Sequence, residues 1–253
     1  MRGDGGKALG AWACDELAAA AGPVCVLVPV GSLEPHGPHL GLGTDTAISE
    51  ACCERAAILL EDAGLSAAIA PAIAYGVTDC ARGFAGAVSI PAAVLSAFVR
   101  AVVAGFLASG VDHVALVNNH LEPAHDGAVR AAVSDLSRAK VSVSCPLSRR
   151  WARTLDAEFR SGACHGGAYE TSMVMACAPD LVDDRIRQTL PEVAVSLSDR
   201  LSAGDTDFRA MGLARAYAGN PAAATAAAGH DLLDRLARMV VTEVTEALAK
   251  AAV

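Results

Sequence analysis

A chain of 253 residues is long enough for one large α/β domain or two small ones. It is 53% hydrophobic and 19% charged, so it can bury a sizeable core, and 4% aromatics with abundant alanine point to close helix packing through small residues. The net charge of −8 argues against nucleic acid or an anionic membrane as a partner.

In chain order, Ala8–Ala21 is a short helix candidate. Val24–Val30, VCVLVPV, reads as a buried strand. A loop rich in glycine and proline follows, and then a predicted helix, Thr46–Ala63, closed by Gly64. Leu65–Ala70 is a second strand, Pro71–Ala85 a polar loop and Ala87–Ile90 a short strand candidate. Pro91 starts a long helix to about Ser109, with Gly110 as its stop. His113–Asn118 is a third buried strand. A helix from Glu122 or Ala124 to Arg138 follows, then a strand, Val141–Ser144. Ser148–Phe159 and Tyr169–Cys177 are predicted helices, Pro191–Ala218 is irregular, and Ala222–Ala252 is a long alanine-rich helix. Strands alternating with helices predict an α/β fold, a single domain with a mainly parallel central sheet between helical layers.

No window is apolar and long enough for a membrane span, since Ala97–Ser109 carries Arg100. The first residues, MRGDGGKALG, lack an apolar core segment. The eight cysteines are scattered, form no CxxC pair and mostly fall inside apolar patterns. Reduced thiols in a cytoplasmic protein are therefore expected.

Chemistry concentrates in three places. The loop after the first strand carries Glu34, His36, His39 and Asp45. Glu, His and Asp bind divalent metals through oxygen and imidazole nitrogen. Glu34 and His36 leave one face of an extended segment, so both reach one site. Asp45 alone also reads as a helix first-turn acid. The loop after the third strand, NNHLE, repeats the spacing with His120 and Glu122, although Glu122 also suits a helix start. In CHGGAYETS, His165 lies in a glycine loop and Glu170 in a helix first turn, where it too could serve as a cap. Cys164 offers a thiol nucleophile, the weaker idea beside a metal loop. Parallel strands bring the first two loops to one sheet edge. Two pairs plus a bridging Asp45 would serve two ions.

These stretches resemble the creatininase family. VPVGSLEPHGPHLGLGTDT is similar to its P-x-G-S-x-E-Q-H-G-x-H-L-P-L-x-T-D signature, with Pro35 for the usual Gln and Gly41 for the usual Pro. NNHLE resembles the form with an acid two residues after the histidine, with Asn119 for the usual glycine and Pro123 for the usual asparagine. CHGGAYETS resembles H-[AG]-G-x-x-E-T-S. Ala72–Ile90 resembles Y-G-x-S…H-x-x-F-P-G-T, with Thr78 in the serine place and Ala81 in that of the histidine. Gly219-Asn220-Pro221 with Ala224, Thr225 and Gly229 completes the likeness.

The resemblance implies a three-layer α/β/α domain that hydrolyses a C–N amide bond. It implies a divalent metal, two ions of zinc, manganese or iron per subunit, on Glu34, His36, Asp45, His120 and Glu122. His165 would be the proton shuttle and Glu170 a catalytic or metal-site carboxylate, with Thr78 and Leu121 contacting substrate. It also implies a homo-oligomer, a ring-like hexamer. Creatininases proper hold creatinine with tryptophan and acid side chains where this chain has Ser161 and Gly162. A small cyclic amide and a short peptide, as in the mycofactocin-type trimming peptidase, are both open as substrate. So is a member that binds a ligand without turning it over.

Overall fold

The structure is a computed structural model that describes residues 7–20 and 22–249. Among the described residues four strands form one sheet: β1 (Val24–Val30), β2 (Ser66–Ile69), β3 (His113–Asn118) and β4 (Val141–Ser144), in the order β2-β1-β3-β4. All three pairings are parallel, with Val26 opposite Ala68 on one side and Val114 on the other. A parallel sheet needs both faces covered, and this explains why every residue of β1 and β3 is buried.

Alternation along the strands divides the core. Cys25, Leu27, Ala115 and Val117 face one layer, made of α1 (Thr44–Asp62), then α4 (Ala168–Cys177) and α5 (Ala226–Ala249). Val24, Val26, Val28, Val30, Val114 and Leu116 face the other, made of α2 (Ala92–Ala108) and α3 (Pro123–Ala132). Each such aliphatic side chain, wholly withdrawn from water, contributes about 1.5–3 kcal/mol. A third cluster gathers Cys80, Ala81 and Ala163 with Phe208, Met211, Leu213, Ala216 and Ala218. The eight cysteines are free thiols. Cys14 is exposed and Cys177 half-buried, and the others are buried.

Several elements depart from the sequence expectation. The first helix is reduced to a turn at Leu9–Ala11 and a short helix at Cys14–Ala18, and Ala21 lies outside the described residues. Ala87–Ile90 contributes only one bridge, Ser89 to Gly76. α3 ends at Ala132 instead of Arg138, where the Ser134 hydroxyl bonds back to the Ala131 carbonyl at 3.1 Å and offers the chain a turn. The expected Ser148–Phe159 helix is two pieces, Arg149–Ala152 and Ala157–Ser161. Asp156 caps the second by accepting the Phe159 N–H at 2.8 Å. Pro191–Ala218 is irregular apart from Leu197–Ser202. α5 begins at Ala226 instead of Ala222 and runs to Ala249, and the expected end at Ala252 lies outside the described residues.

α1 begins at Thr44, two residues earlier than expected, which puts Asp45 in its first turn. α4 and α5 cross at Gly229, where a Cβ would lie 1.9 Å from the Ser172 carbonyl oxygen, so only glycine permits the approach.

Candidate metal and catalytic centre

The loops leaving β1 and β3 meet beyond the carboxyl ends of the strands, and the start of α4 closes over them. Glu34, His36, Asp45, His120, His165 and Glu170 converge there, all buried. Asp45 divides the set. Its Oδ1 lies 3.0 Å from His36 Nε2 and its Oδ2 2.9 Å from His120 Nδ1. Glu34 Oε1 is 3.2 Å from His120 Nδ1 on one side, and Glu170 Oε2 is 3.5 Å from His36 Nε2 on the other. Two triads result: Glu34, Asp45 and His120, and His36, Asp45 and Glu170. A third group, Glu34, His36 and His165, shares members with both.

Local bonds set each imidazole. His36 Nδ1 sits 3.2 Å from the Glu34 carbonyl oxygen, so donation there leaves Nε2 as the free ligand atom. His120 Nε2 donates to the Val77 carbonyl at 2.7 Å and leaves Nδ1 free. Asn118 shapes the turn beneath, accepting the His120 N–H at 3.0 Å and donating to its carbonyl at 3.1 Å. The Thr78 hydroxyl donates to Glu34 Oε2.

Electrostatics follow from burial and crowding. Burial would raise the Glu34 carboxyl, but the charge of His120 overrides it and brings the group down to about 2. Burial would lower His36, yet the Asp45 and Glu170 carboxylates hold it up at about 10. Burial pushes Glu170 up to about 8 despite His36 nearby. Burial, aided by the charge of His36, pushes His165 down to about 4, so its ring is neutral at pH 7.

His36 Nε2 and both Asp45 oxygens are buried without a hydrogen-bond partner. Unpartnered buried donors and acceptors of this kind are costly in an isolated protein. Cations on the two sides of Asp45 would use all three. The donor set, carboxylate oxygen with imidazole nitrogen, therefore fits divalent metal ions.

The other expected residues fall as follows. Glu122 joins none of the three groups. Its carboxylate accepts the N–H groups of Asp79 and Cys80, both at 3.1 Å, while it lines the cavity in front of the cluster. Thr78 is fully buried behind Glu34 and does not line that cavity, whereas Leu121 does. His165 is not in an open flexible loop. It packs between the His36 ring at 4.3 Å and the Phe208 ring at 4.5 Å, and its Nε2 donates to the Pro35 carbonyl at 3.0 Å. Sequence reasoning assigned no role to His39, which bonds Thr171 at 2.9 Å, or to His125, which packs on His120. The spacing His120, Glu122, His125 was the available signal for the latter.

The family pattern described as creatininase, creatinine amidohydrolase, matches residues 12–244. The chain belongs to the creatininase family. It is thus a creatininase-family amidohydrolase. It is 32% identical over 211 residues to the mycofactocin precursor peptide peptidase of Mycolicibacterium smegmatis, covering 81% of this chain and 77% of that one. It is 28% identical over 195 residues to the creatinine amidohydrolase of Pseudomonas putida, covering 69% of this chain and 73% of that one. A solved creatininase variant in complex with creatine superposes with a TM-score of 0.74 at 21% identity, over 96% of this chain and 99% of the other. That likeness shows the three-layer fold. Solved creatininases of the same fold include a manganese form and a Zn–Zn form.

Proposed function

We propose that this creatininase-family enzyme works with two divalent ions, one held by Glu34, Asp45 and His120 and the other by His36, Asp45 and Glu170. The observation that carries the reading is the set of unpartnered buried atoms, His36 Nε2 and the two Asp45 oxygens, with Oδ1 facing His36 and Oδ2 facing His120. Zinc and manganese suit this donor set, and both occur in solved creatininases. When bound, such ions acidify water from a pKa of 15.7 to about 7 and polarise a carbonyl.

The protein's own groups supply the rest. Glu34 stays ionised beside His120, and the Thr78 hydroxyl fixes its second oxygen. His165, neutral at pH 7, has Nε2–H tied to the Pro35 carbonyl and Nδ1 free, 3.8 Å from Glu34 Oε1. Nδ1 takes a proton from the attacking water and returns it to the leaving nitrogen. Glu122, raised by its burial at the edge of the cavity, is the next proton-handling group.

A short peptide or peptide-like amide is the substrate the cavity favours. It measures about 810 Å³, far more than a creatinine ring needs, and Leu121, Leu147, Phe159, Leu201 and Phe208 give it apolar walls. A small cyclic amide is the second reading, favoured by the acid two residues after His120. Assembly belongs to the same proposal. The outward side of α2 is apolar, with Val94 and Phe98 each more than half exposed, and a second copy would cover it in a homo-oligomer. No helix among the described residues is long and apolar enough to cross a membrane. A cytoplasmic location remains an expectation from sequence.

The test is elemental analysis of protein purified without chelator, followed by hydrolysis assays on creatinine and on short peptides before and after metal removal. Stoichiometric zinc or manganese, with cleavage lost on removal and restored on addition, is expected. A folded, metal-free protein whose hydrolysis ignores chelator would sink the reading.

A further inference from the structure

Two histidines outside the loop after β1 meet on a single residue of the segment following β2. His120 donates its Nε2–H to the Val77 carbonyl at 2.7 Å. The Val77 N–H in turn donates to Nδ1 of His125 at 3.2 Å. His125 stands in α3, is wholly buried, and packs edge-on against the His120 ring with centroids 4.6 Å apart and planes at 83°. Accepting a proton at Nδ1 requires the His125 hydrogen to be on Nε2. Both polar groups of Val77 are therefore held by imidazoles.

The neighbours of Val77 fit the same arrangement. A Cβ on Gly76 would lie 2.3 Å from His125 Nδ1, so only glycine lets the chain come this close to the ring. Thr78 is anchored through its N–H on the Ser89 hydroxyl at 3.0 Å, and its own hydroxyl donates to Glu34. One short strap, Gly76 to Thr78, thus orients both Glu34 and His120. His125 is the side chain that locks the strap at its centre.

We infer that His125 is a positioning residue, acting through Val77 to hold His120 in the tautomer that turns Nδ1 toward Glu34 and Asp45. It touches neither the reacting atoms nor the carboxylates. Outer partners of metal-binding histidines fix ring orientation, and losing one costs about 10–100-fold in metal affinity. The inference rests on the metal reading above.

The experiment compares wild type, His125→Leu and His125→Asn in binding of zinc alone and manganese alone to chelator-stripped protein, by competition with a chromophoric chelator. Leucine fills the space but cannot accept the Val77 N–H, whereas the asparagine Oδ1 falls where Nδ1 was. The expected result is affinity about 10–100-fold weaker in His125→Leu and close to wild type in His125→Asn. Nitrogen chemical shifts of the zinc-loaded protein should show His120 bound through Nδ1 with its proton on Nε2 in wild type, and a mixed pattern in His125→Leu. A folded His125→Leu with wild-type affinity, or an asparagine variant as weak as the leucine one, overturns the inference. If His125→Leu does not fold, Gly76→Ala replaces it, since it displaces the ring without removing it. The same loss is then expected, and unchanged affinity is fatal. Wild type that binds neither ion defeats the metal reading itself, which separates the two failures.

Discussion

His165 shows how one residue changes meaning between sequence and structure. Its glycine neighbours suggest freedom, yet the ring is pinned between His36 and Phe208 with one nitrogen on the Pro35 carbonyl. Pinning gives the proposed shuttle a fixed atom, Nδ1, to work with. His165→Ala should keep metal content and lower kcat by about 10²–10⁴-fold, the usual range for a lost acid–base group. Loss of one metal equivalent in that variant would instead make His165 a ligand, as its group with Glu34 and His36 permits. The convergence of Glu34, His36, Asp45 and His120 was legible from loop position and spacing. The position of Glu122 was not, because its carboxylate is held by a pair of backbone N–H groups at Asp79 and Cys80. Backbone partners leave no mark in residue type.

At the scale of elements, close contacts decide what can vary. The α4–α5 crossing is set by Gly229 against the Ser172 carbonyl, a backbone atom that cannot swing aside. Gly229→Ala should cost about 1–3 kcal/mol of stability through overpacking, read as a lower denaturant midpoint. An unchanged midpoint would mean the helices part easily. The β3–β4 pairing carries a different device. His113 is buried with one ring nitrogen 3.0 Å from the Ala139 carbonyl and the other 2.9 Å from the Ser142 hydroxyl. Burial lowers its pKa below the unfolded value of about 6.5. Its stabilising contribution is therefore complete above about pH 6.5 and is lost as pH falls toward the folded pKa. The stability gap between wild type and His113→Gln should be widest above neutrality and narrow on acidification. A gap that widens on acidification would reverse the sign.

Over the whole molecule, the layer order was legible because β1 and β3 are short, largely apolar runs, and because alternating strands and helices admit few arrangements. What Pro191–Ala218 packs against was not, since the segment has no period of its own. Its Phe208, Met211 and Leu213 make sense only against Cys80, Ala81 and Ala163, which come from distant parts of the chain. The same long-range character holds for the candidate centre, whose residues span 34 to 170. No fragment of the sheet brings them together.

The buried thiols turn the core into a recorder of its own breathing. Cys25 on β1 and Cys52 on α1 are each pushed up to about 12 by burial, and Cys53 beside them is raised as well. A protonated, enclosed sulfur does not attack a disulfide reagent. Cys14 stands outside at once, whereas Cys25, Cys52 and Cys53 answer only when the sheet parts from α1. With a chromogenic disulfide at mildly alkaline pH, the prompt signal should come from Cys14, followed by half-buried Cys177. A slow phase should then track the opening of the molecule and lengthen when metal is supplied. If Cys25, Cys52 and Cys53 reacted with Cys14, this side of the core would be open to solvent on the timescale of mixing.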